Sequence, residues 1–185
     1  MNSPADEILM LEVRDGEVAK LGILFERHHR TLYNFFVRLT SNRQASEDLV
    51  QEVFLRMLKY RHTYRGENGF GVWMYRIARN VRADHFRKPR REVPMQEDEH
   101  EPVSLEFNAS ENMEREQEVD LLHQALNNLT DDKREVLLLS RFQNLKYEEI
   151  AEMLGCAVGT VKARVHRAIK DLRQNFLELS SEKLT

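Results

Sequence analysis

Cysteine, proline and glycine are scarce in this chain of 185 residues, which contains one cysteine (Cys156), four prolines and seven glycines. A lone cysteine excludes an internal disulfide, so nothing suggests an oxidising compartment. Few glycines and prolines disfavour an all-β fold, because tight turns between strands depend on these residues. These shortages favour an all-α fold.

The sequence also lacks any apolar run that approaches the roughly 20 residues needed to span a bilayer, and residues 136–139 are a typical run. Its first residues include acids where a secretory signal would have a basic end and an apolar segment. No phosphate loop or nucleophile motif is present, and His28, His29 and His123 lack the spacing of metal ligands. We expect a cytoplasmic protein without membrane insertion, which is not an enzyme and binds no metal or other cofactor.

Charge is segregated along the chain, although the net charge is only −3. Residues 61–91 contain nine Lys and Arg against two acids, a net charge of +7, and residues 162–173 have a net charge of +4. Between these blocks, residues 92–120 contain eleven Asp and Glu against one Arg, a net charge of −10. Two basic blocks on either side of an acidic one suggest two nucleic-acid surfaces joined by a linker.

Helical spacing of apolar residues predicts three helices in the N-terminal half. They span residues 18–39, about 44–60 and about 71–87. A break is predicted at residues 40–42 and a loop at residues 65–69, and Pro89 ends the third helix.

The segment before residue 112 has prolines, many acids and no sustained periodicity, which is typical of an extended linker. Helices then resume, and one begins at Thr130, which can cap it. The sequence therefore predicts two small helical domains, residues 1–91 and 112–185, joined by an acidic flexible linker at residues 92–111.

Residues 147–167 have the pattern of a helix-turn-helix. Ala151 allows two helices to cross closely, Gly155 turns the chain, and Val161 docks the second helix. The inner face of the second helix is predicted to comprise Val161, Val165, Ala168, Ile169 and Leu172. The predicted base contacts on its outer face are Lys162, Ala163, His166 and Arg167, and the predicted phosphate contacts are Arg164, Lys170 and Arg173.

The third predicted helix and the loop before it interleave cations with aromatic side chains, which suits single-stranded DNA. A core position is the simpler interpretation for Trp73, which falls on the apolar side of the helix. Tyr64, Phe70 and Tyr75 fit either a core role or a stacking role.

Three segments together resemble bacterial RNA polymerase sigma factors of the extracytoplasmic-function group. These segments are DLVQEVF at 48–54, WMYRIARN at 73–80, and YEEIAEML at 147–154 with GTVKAR at 159–164. The resemblance covers about residues 17–178, and it implies binding to core RNA polymerase, to promoter DNA and to an anti-sigma factor.

The resemblance also implies which residues bind each partner. Core polymerase would be bound through the clamp helices of its largest subunit by Asp48, Leu49, Gln51, Glu52 and Leu55, and also through the flap of its second-largest subunit. The −10 element would be melted, and a flipped base captured, by Arg65, Glu67, Asn68, Gly69, Phe70, Arg76, Arg79, Asn80 and Arg82. The −35 element would be read by Thr160, Lys162, Ala163, Arg164, His166, Arg167 and Lys170.

Two further hypotheses follow. The acidic linker could mimic nascent RNA in a basic channel of the polymerase, or it could be a plain tether. The alternative function is a stand-alone helix-turn-helix transcriptional regulator, which would explain residues 147–173 but leave residues 48–54 and 64–91 without a role.

Overall fold

The computed structural model describes residues 4–87 and 113–182, and every regular element in these ranges is helical. The elements are α1 (Asp6–Arg14), α2 (Lys20–Thr40), α3 (Arg43–Lys59), a 3-10 turn (Arg61–Thr63), α4 (Phe70–Arg87), α5 (Met113–Asn127), α6 (Asp131–Leu137), a π-helical turn (Leu138–Phe142), α7 (Tyr147–Leu154) and α8 (Val158–Glu182). The predicted all-α fold class is confirmed. The predicted linker at residues 92–111, with the hypothesis that it mimics RNA, lies outside the described residues.

The described residues form two compact units. The first comprises residues 4–36 and 42–87, and the second comprises residues 37–41 and 113–182. Each unit buries its own set of apolar side chains.

Packing of α3 against α4 forms the centre of the first unit. Leu49, Val53 and Met57 recur every four residues on α3, so they lie on one stripe of a helix with about 3.6 residues per turn. All three side chains are buried. The buried residues of α4 are Phe70, Val72, Met74, Tyr75, Ile77, Ala78 and Val81.

The break between α2 and α3 lies where the sequence predicts it. Ser41 has a φ of +54°, and the side chain of Asn42 accepts a hydrogen bond from the backbone N–H of Ala45 at 2.8 Å. This bond satisfies one of the donors that the first turn of a helix leaves without a partner. The prediction for residues 40–42 is therefore confirmed.

Helix α1 corrects the expectation that the first helix begins near residue 18. It has nine residues, too few turns for a periodic pattern to stand out, and isolated helices of this length are marginal in water. Its stability comes from burial, since Leu9, Met10 and Val13 have no exposed surface. Only tertiary contacts make this segment a helix.

A cluster of apolar side chains, mostly leucines, from the region between α5 and α8 forms part of the core of the second unit. Its buried members are Leu126, Leu129, Leu137 and Ala168, with Leu122 and Leu172 packed against them. Buried Arg134 donates hydrogen bonds to the carbonyl oxygens of Asn127 at 2.6 Å and Leu129 at 2.9 Å, which satisfies acceptors near the end of α5. Thr130 precedes α6 as predicted, but its side chain makes no capping hydrogen bond.

The helix-turn-helix consists of α7, a turn at Gly155 and the start of α8. Gly155 has a φ of +63°, and the N–H of Cys156 donates to the carbonyl oxygen of Ala151 at 3.0 Å, as in a Schellman motif. Val161 and Val165 are buried as predicted. Ile169 is 39% exposed, which corrects its predicted place on the inner face, because the buried stripe is centred about 70° of helix rotation away from it.

We predict opposite effects on stability for two glycine substitutions in the helix-turn-helix. Gly155→Ala should lower the free energy of unfolding by about 1 kcal/mol, because its positive φ strains any residue with a Cβ atom. Gly159→Ala, within α8, should raise it by about 0.4–1 kcal/mol, because alanine restricts the unfolded chain. Neither Cβ would have a neighbour within 4 Å, so the backbone alone distinguishes the two sites. Urea unfolding followed by circular dichroism measures both, and stabilisation by Gly155→Ala would contradict the assigned turn.

Candidate nucleic-acid interface

The outer face of α8 presents the side chains predicted to contact duplex DNA. Lys162, Ala163, His166, Arg167 and Lys170 are exposed on this face. Thr160 and Arg164 are half-buried at its margins. The structure therefore places the predicted set on one helix, with the bulk of its cationic groups in solvent.

The acid within this basic stretch is engaged elsewhere. Asp171 forms an ion pair with Lys133 of α6, so its charge is directed toward the neighbouring helix. Arg167 is held close to α8, since its Nε donates to the carbonyl oxygen of Ala163 at 3.3 Å. The outer face thus combines positive charge with a rigid helical support.

A cavity of about 240 Å³ lies in the first unit, between the loop before α4 and the first turns of that helix. It is lined by Thr63, Tyr64, Arg65, Gly66, Glu67, Asn68, Gly69, Val72, Trp73 and Arg76. The cavity is smaller than the range of about 300–1,000 Å³ typical for drug-sized ligands. Its size suits a single planar ring system.

Two glycines and two aromatic rings shape this cavity. Gly66 and Gly69 have φ values of +78° and +74°, a conformation that side chains with a Cβ atom rarely adopt. The ring of Trp73 lies against that of Tyr64, with their centroids 5.2 Å apart. Tyr64 is 2% exposed, so its ring supports the loop from the core and cannot act as a platform in solvent.

The hydroxyl of Tyr64 is neutral at physiological pH. Burial, together with the negative charges of Glu7 and Asp6, raises the pKa of Tyr64 to about 12. Burial also raises the pKa of Tyr75, which packs edge-on against Phe35 at 5.1 Å between centroids. Both tyrosines therefore belong to the core, which resolves the two roles that the sequence left open for them.

The structure brings together only part of the predicted single-strand site. Arg65, Glu67, Asn68, Gly69 and Arg76 line the cavity. Arg79 and Arg82 are half-buried on later turns of α4, outside its lining.

Of the predicted members of this site, Phe70 needs correction, whereas the contact of Asn80 with DNA stays a prediction. Phe70 is 1% exposed and packs on the ring of His28 at 5.0 Å between centroids, because the first turn of α4 directs it into the core. Asn80 is exposed but does not line the cavity, since it lies four residues beyond Arg76, about 6 Å further along the helix axis.

Sequence reasoning did not include Thr63, Gly66 and Val72 among the cavity residues. Val72 could have been found, because it precedes Arg76 by four residues and so lies on the same side of α4. Thr63 and Gly66 carry no comparable signal, since their positions depend on the path of the loop.

The outer face of α3 presents a mixed apolar and acidic surface. Asp48 and Gln51 are exposed, and Leu55 is 62% exposed. Glu52 is half-exposed and accepts a hydrogen bond from Nε of Arg56 at 2.7 Å. Leu49, which the sequence analysis included in this surface, is 1% exposed, so it supports α3 from the core and offers no contact to a partner.

Residues 4–87 and 113–182 also bear on the expectations about metal ions and membranes. No group of three or more His, Cys, Asp and Glu side chains in these ranges could hold a metal ion. The helices described there include none with the length and apolar character needed to cross a membrane.

Family models match both units. Residues 24–92 match the model described as Sigma-70 region 2, and residues 120–172 match Sigma-70, region 4. The stand-alone regulator is therefore not supported, because the first unit matches a sigma-factor region as well as the second.

Curated relatives cover nearly the whole chain. RNA polymerase sigma-H factor of Pseudomonas aeruginosa is 30% identical over 173 residues, which cover 88% of this chain and 89% of the relative. RNA polymerase sigma factor CarQ of Myxococcus xanthus is 31% identical over 175 residues, which cover 94% of this chain and 98% of the relative. ECF RNA polymerase sigma factor SigX of Bacillus subtilis is 30% identical over 167 residues, which cover 88% and 86%.

Solved structures agree with these relatives. The sigma factor RpoE from Bartonella quintana, in complex with the anti-sigma factor NepR, has a TM-score of 0.68 and 25% identity, with 83% of this chain and 94% of that chain covered. CnrH, in complex with the cytosolic domain of CnrY, has a TM-score of 0.69 and 23% identity, with 92% and 96% covered, and shows the fold alone. This chain belongs to the extracytoplasmic-function (ECF) subfamily of RNA polymerase sigma factors, and it directs promoter-specific initiation of transcription.

Proposed function

We propose that this sigma factor reads the −35 element with the outer face of α8, captures a flipped base of the −10 element in the cavity beside α4, and docks on core polymerase with the outer face of α3. The observation that carries the proposal is the cavity of about 240 Å³, which has a cationic lining residue, Arg76, and lies within a segment of net charge +7. Duplex binding alone would not need such a cavity.

The outer face of α8 suits the major groove of duplex DNA. A single α-helix fits that groove, and Arg or Lys pairs well with the O6 and N7 atoms of guanine. Lys162, His166 and Arg167 follow Val158, the first residue of α8, by about one to two and a half helical turns, so they lie where a recognition helix contacts base edges. Arg164, Lys170 and Arg173 would contact phosphates, which fix the register of the protein on the duplex.

The cavity suits a base that has left the helical stack. Flipping costs a few kcal/mol, which contacts inside the pocket must offset. Asn68 offers an amide that can both donate and accept hydrogen bonds, and Trp73 offers an aromatic surface. Arg65, Arg76, Arg79, Asn80 and Arg82 would contact the backbone of the opened strand.

The outer face of α3 suits a basic helix pair with an apolar seam. Exposed Leu55 supplies an apolar anchor, while Asp48 and Glu52 supply charge that would steer the encounter. The clamp helices of the largest polymerase subunit are the proposed partner of this face, and the flap of the second-largest subunit is the proposed partner of the second unit.

We assign the chain no catalytic role of its own, because the polymerase makes the phosphodiester bonds. Its proposed location is the cytoplasm, where bacterial RNA polymerase works. An anti-sigma factor is a further proposed partner, since RpoE of Bartonella quintana is seen in complex with NepR.

We predict that two arginines of α8 make different kinds of contact with DNA. Arg167→Ala should reduce the preference for the −35 sequence over a mutated one by about tenfold, because it removes a base contact. Arg173→Ala should weaken binding to both sequences alike and lower the slope of log affinity against log salt by about one. Binding of holoenzyme to labelled promoter DNA measures both effects, and the reverse pattern would contradict the assignments.

We predict that two asparagines of the first unit also have different effects, one on base discrimination and the other on the rate of promoter opening. Asn68→Ala should reduce discrimination among bases at the captured −10 position by about tenfold, because Asn68 lines the cavity. Asn80→Ala should leave that discrimination intact while slowing promoter opening, because Asn80 lies outside the cavity. Opening rates of holoenzyme on promoters with each base at that position test this, and loss of discrimination in Asn80→Ala alone would place the pocket elsewhere.

We predict that Leu55→Asp weakens binding to core polymerase by at least tenfold without unfolding the chain, because it places a charge at an exposed apolar anchor. Val18→Asp is the control, since Val18 is another exposed apolar residue of the same unit, 40% exposed, outside the proposed docking face. Affinity for core polymerase, measured by fluorescence anisotropy, separates the two variants. Equal losses of affinity in both variants would contradict docking through the outer face of α3.

A further inference from the structure

Helix α1 contacts the loop that forms the cavity, although it lies far from this loop in sequence and before residue 24, where the match to Sigma-70 region 2 begins. The backbone N–H of Phe70 donates to Oε1 of Glu7 at 3.2 Å. A Cβ atom added at Gly66 would lie 3.9 Å from the side chain of Leu11, so α1 lies beside the loop at this residue. The hydrogen bond therefore links α1 to the start of α4, and α1 borders the loop at Gly66.

Charged contacts fix the position of α1 on α2. Asp6 accepts hydrogen bonds from Nη1 of Arg27 at 2.5 Å and lies 2.6 Å from Nε2 of His28. Arg27 also donates to the carbonyl oxygen of Pro4 at 2.8 Å. Leu9, Met10 and Val13 are also buried, so apolar packing as well as these charged contacts holds α1 in place.

Two glycines with positive φ make the loop before α4 costly to order. Gly66 and Gly69 lack side chains, and glycine loses more conformational freedom on folding than any other residue. The first turn of α4 leaves backbone N–H groups without intrahelical partners, and Phe70 contributes one of them. A carboxylate at the beginning of a helix satisfies such a donor and interacts favourably with the positive end of the helix dipole.

We propose that α1 is the positioning element of the cavity, and that Glu7 is the positioning residue that fixes where α4 begins. Trp73 and Arg76 follow Phe70 by three and six residues, so the start of α4 sets the direction in which both enter the cavity. This inference rests on the proposed capture of a base there. Glu7 acts through the loop and α4 and is given no contact with DNA.

The first test measures the loop in the full chain without polymerase or DNA. Glu7→Ala should speed amide exchange at Phe70 about fivefold, because a lost capping hydrogen bond shifts local opening by about that factor. It should also raise acrylamide quenching of Trp73, the one tryptophan of the chain. Glu7→Gln retains an acceptor oxygen and should restore most of the protection, and Glu17→Ala, an exposed acid between α1 and α2, should change neither signal.

Unchanged exchange and quenching in Glu7→Ala would overturn the proposal, as would an equal effect of Glu17→Ala. The second test measures base discrimination at the captured −10 position with holoenzyme. Glu7→Ala should reduce this discrimination several-fold, and Glu7→Gln should retain most of it. Normal discrimination despite a loosened loop would also overturn it. Failure of the wild-type chain to discriminate would instead contradict the proposed function, and the exchange result would remain interpretable.

Discussion

The packing of α3 on α4 is the constraint on which the other features of the first unit depend. Because Leu49, Val53 and Met57 face inward, the residues between them, such as Gln51 and Leu55, must face outward. Burial of one large apolar side chain stabilises by about 1.5–3 kcal/mol, whereas a partly exposed ion pair contributes about 0–1 kcal/mol. The apolar seam, more than the ion pair between Arg56 of α3 and Asp84 of α4 at 2.7 Å, therefore fixes how the two helices present their surfaces.

In the proposed function, one face of α8 supports the second unit and the opposite face recognises DNA. The buried stripe of α8 holds the leucine cluster together, while its outer face accumulates cations that repel one another. Phosphates relieve this repulsion, and the release of condensed counterions makes binding depend steeply on salt. A rigid helix also keeps Lys162 and Arg167 in fixed register, which sequence reading requires and charge alone does not provide.

The long helices, the loop at residues 65–69 and the turn at Gly155 could be predicted because each depends on local periodicity or on backbone conformation. The wrong placement of Ile169 arose because one step of about 100° along a helix decides between core and solvent, whereas Leu49 was included in the polymerase-binding surface through the family resemblance. Helix α1 could not be predicted, because its nine residues form a helix through burial against distant segments. The contact between Glu7 and Phe70 joins residues 63 positions apart, and no local pattern records it.

A cavity that takes a flipped base must be open before the base arrives and must not collapse. Two of the residues that line this cavity are glycines and contribute no side chain to its rim, but ordering a flexible loop costs about 1–2 kcal/mol per residue. If the loop became ordered only when the base is captured, this entropic cost would add to the few kcal/mol already needed for flipping. Buried Tyr64 beneath the loop and α1 beside it shift the cost to folding, so in the proposed function the contacts made with the base would have to offset only the cost of flipping.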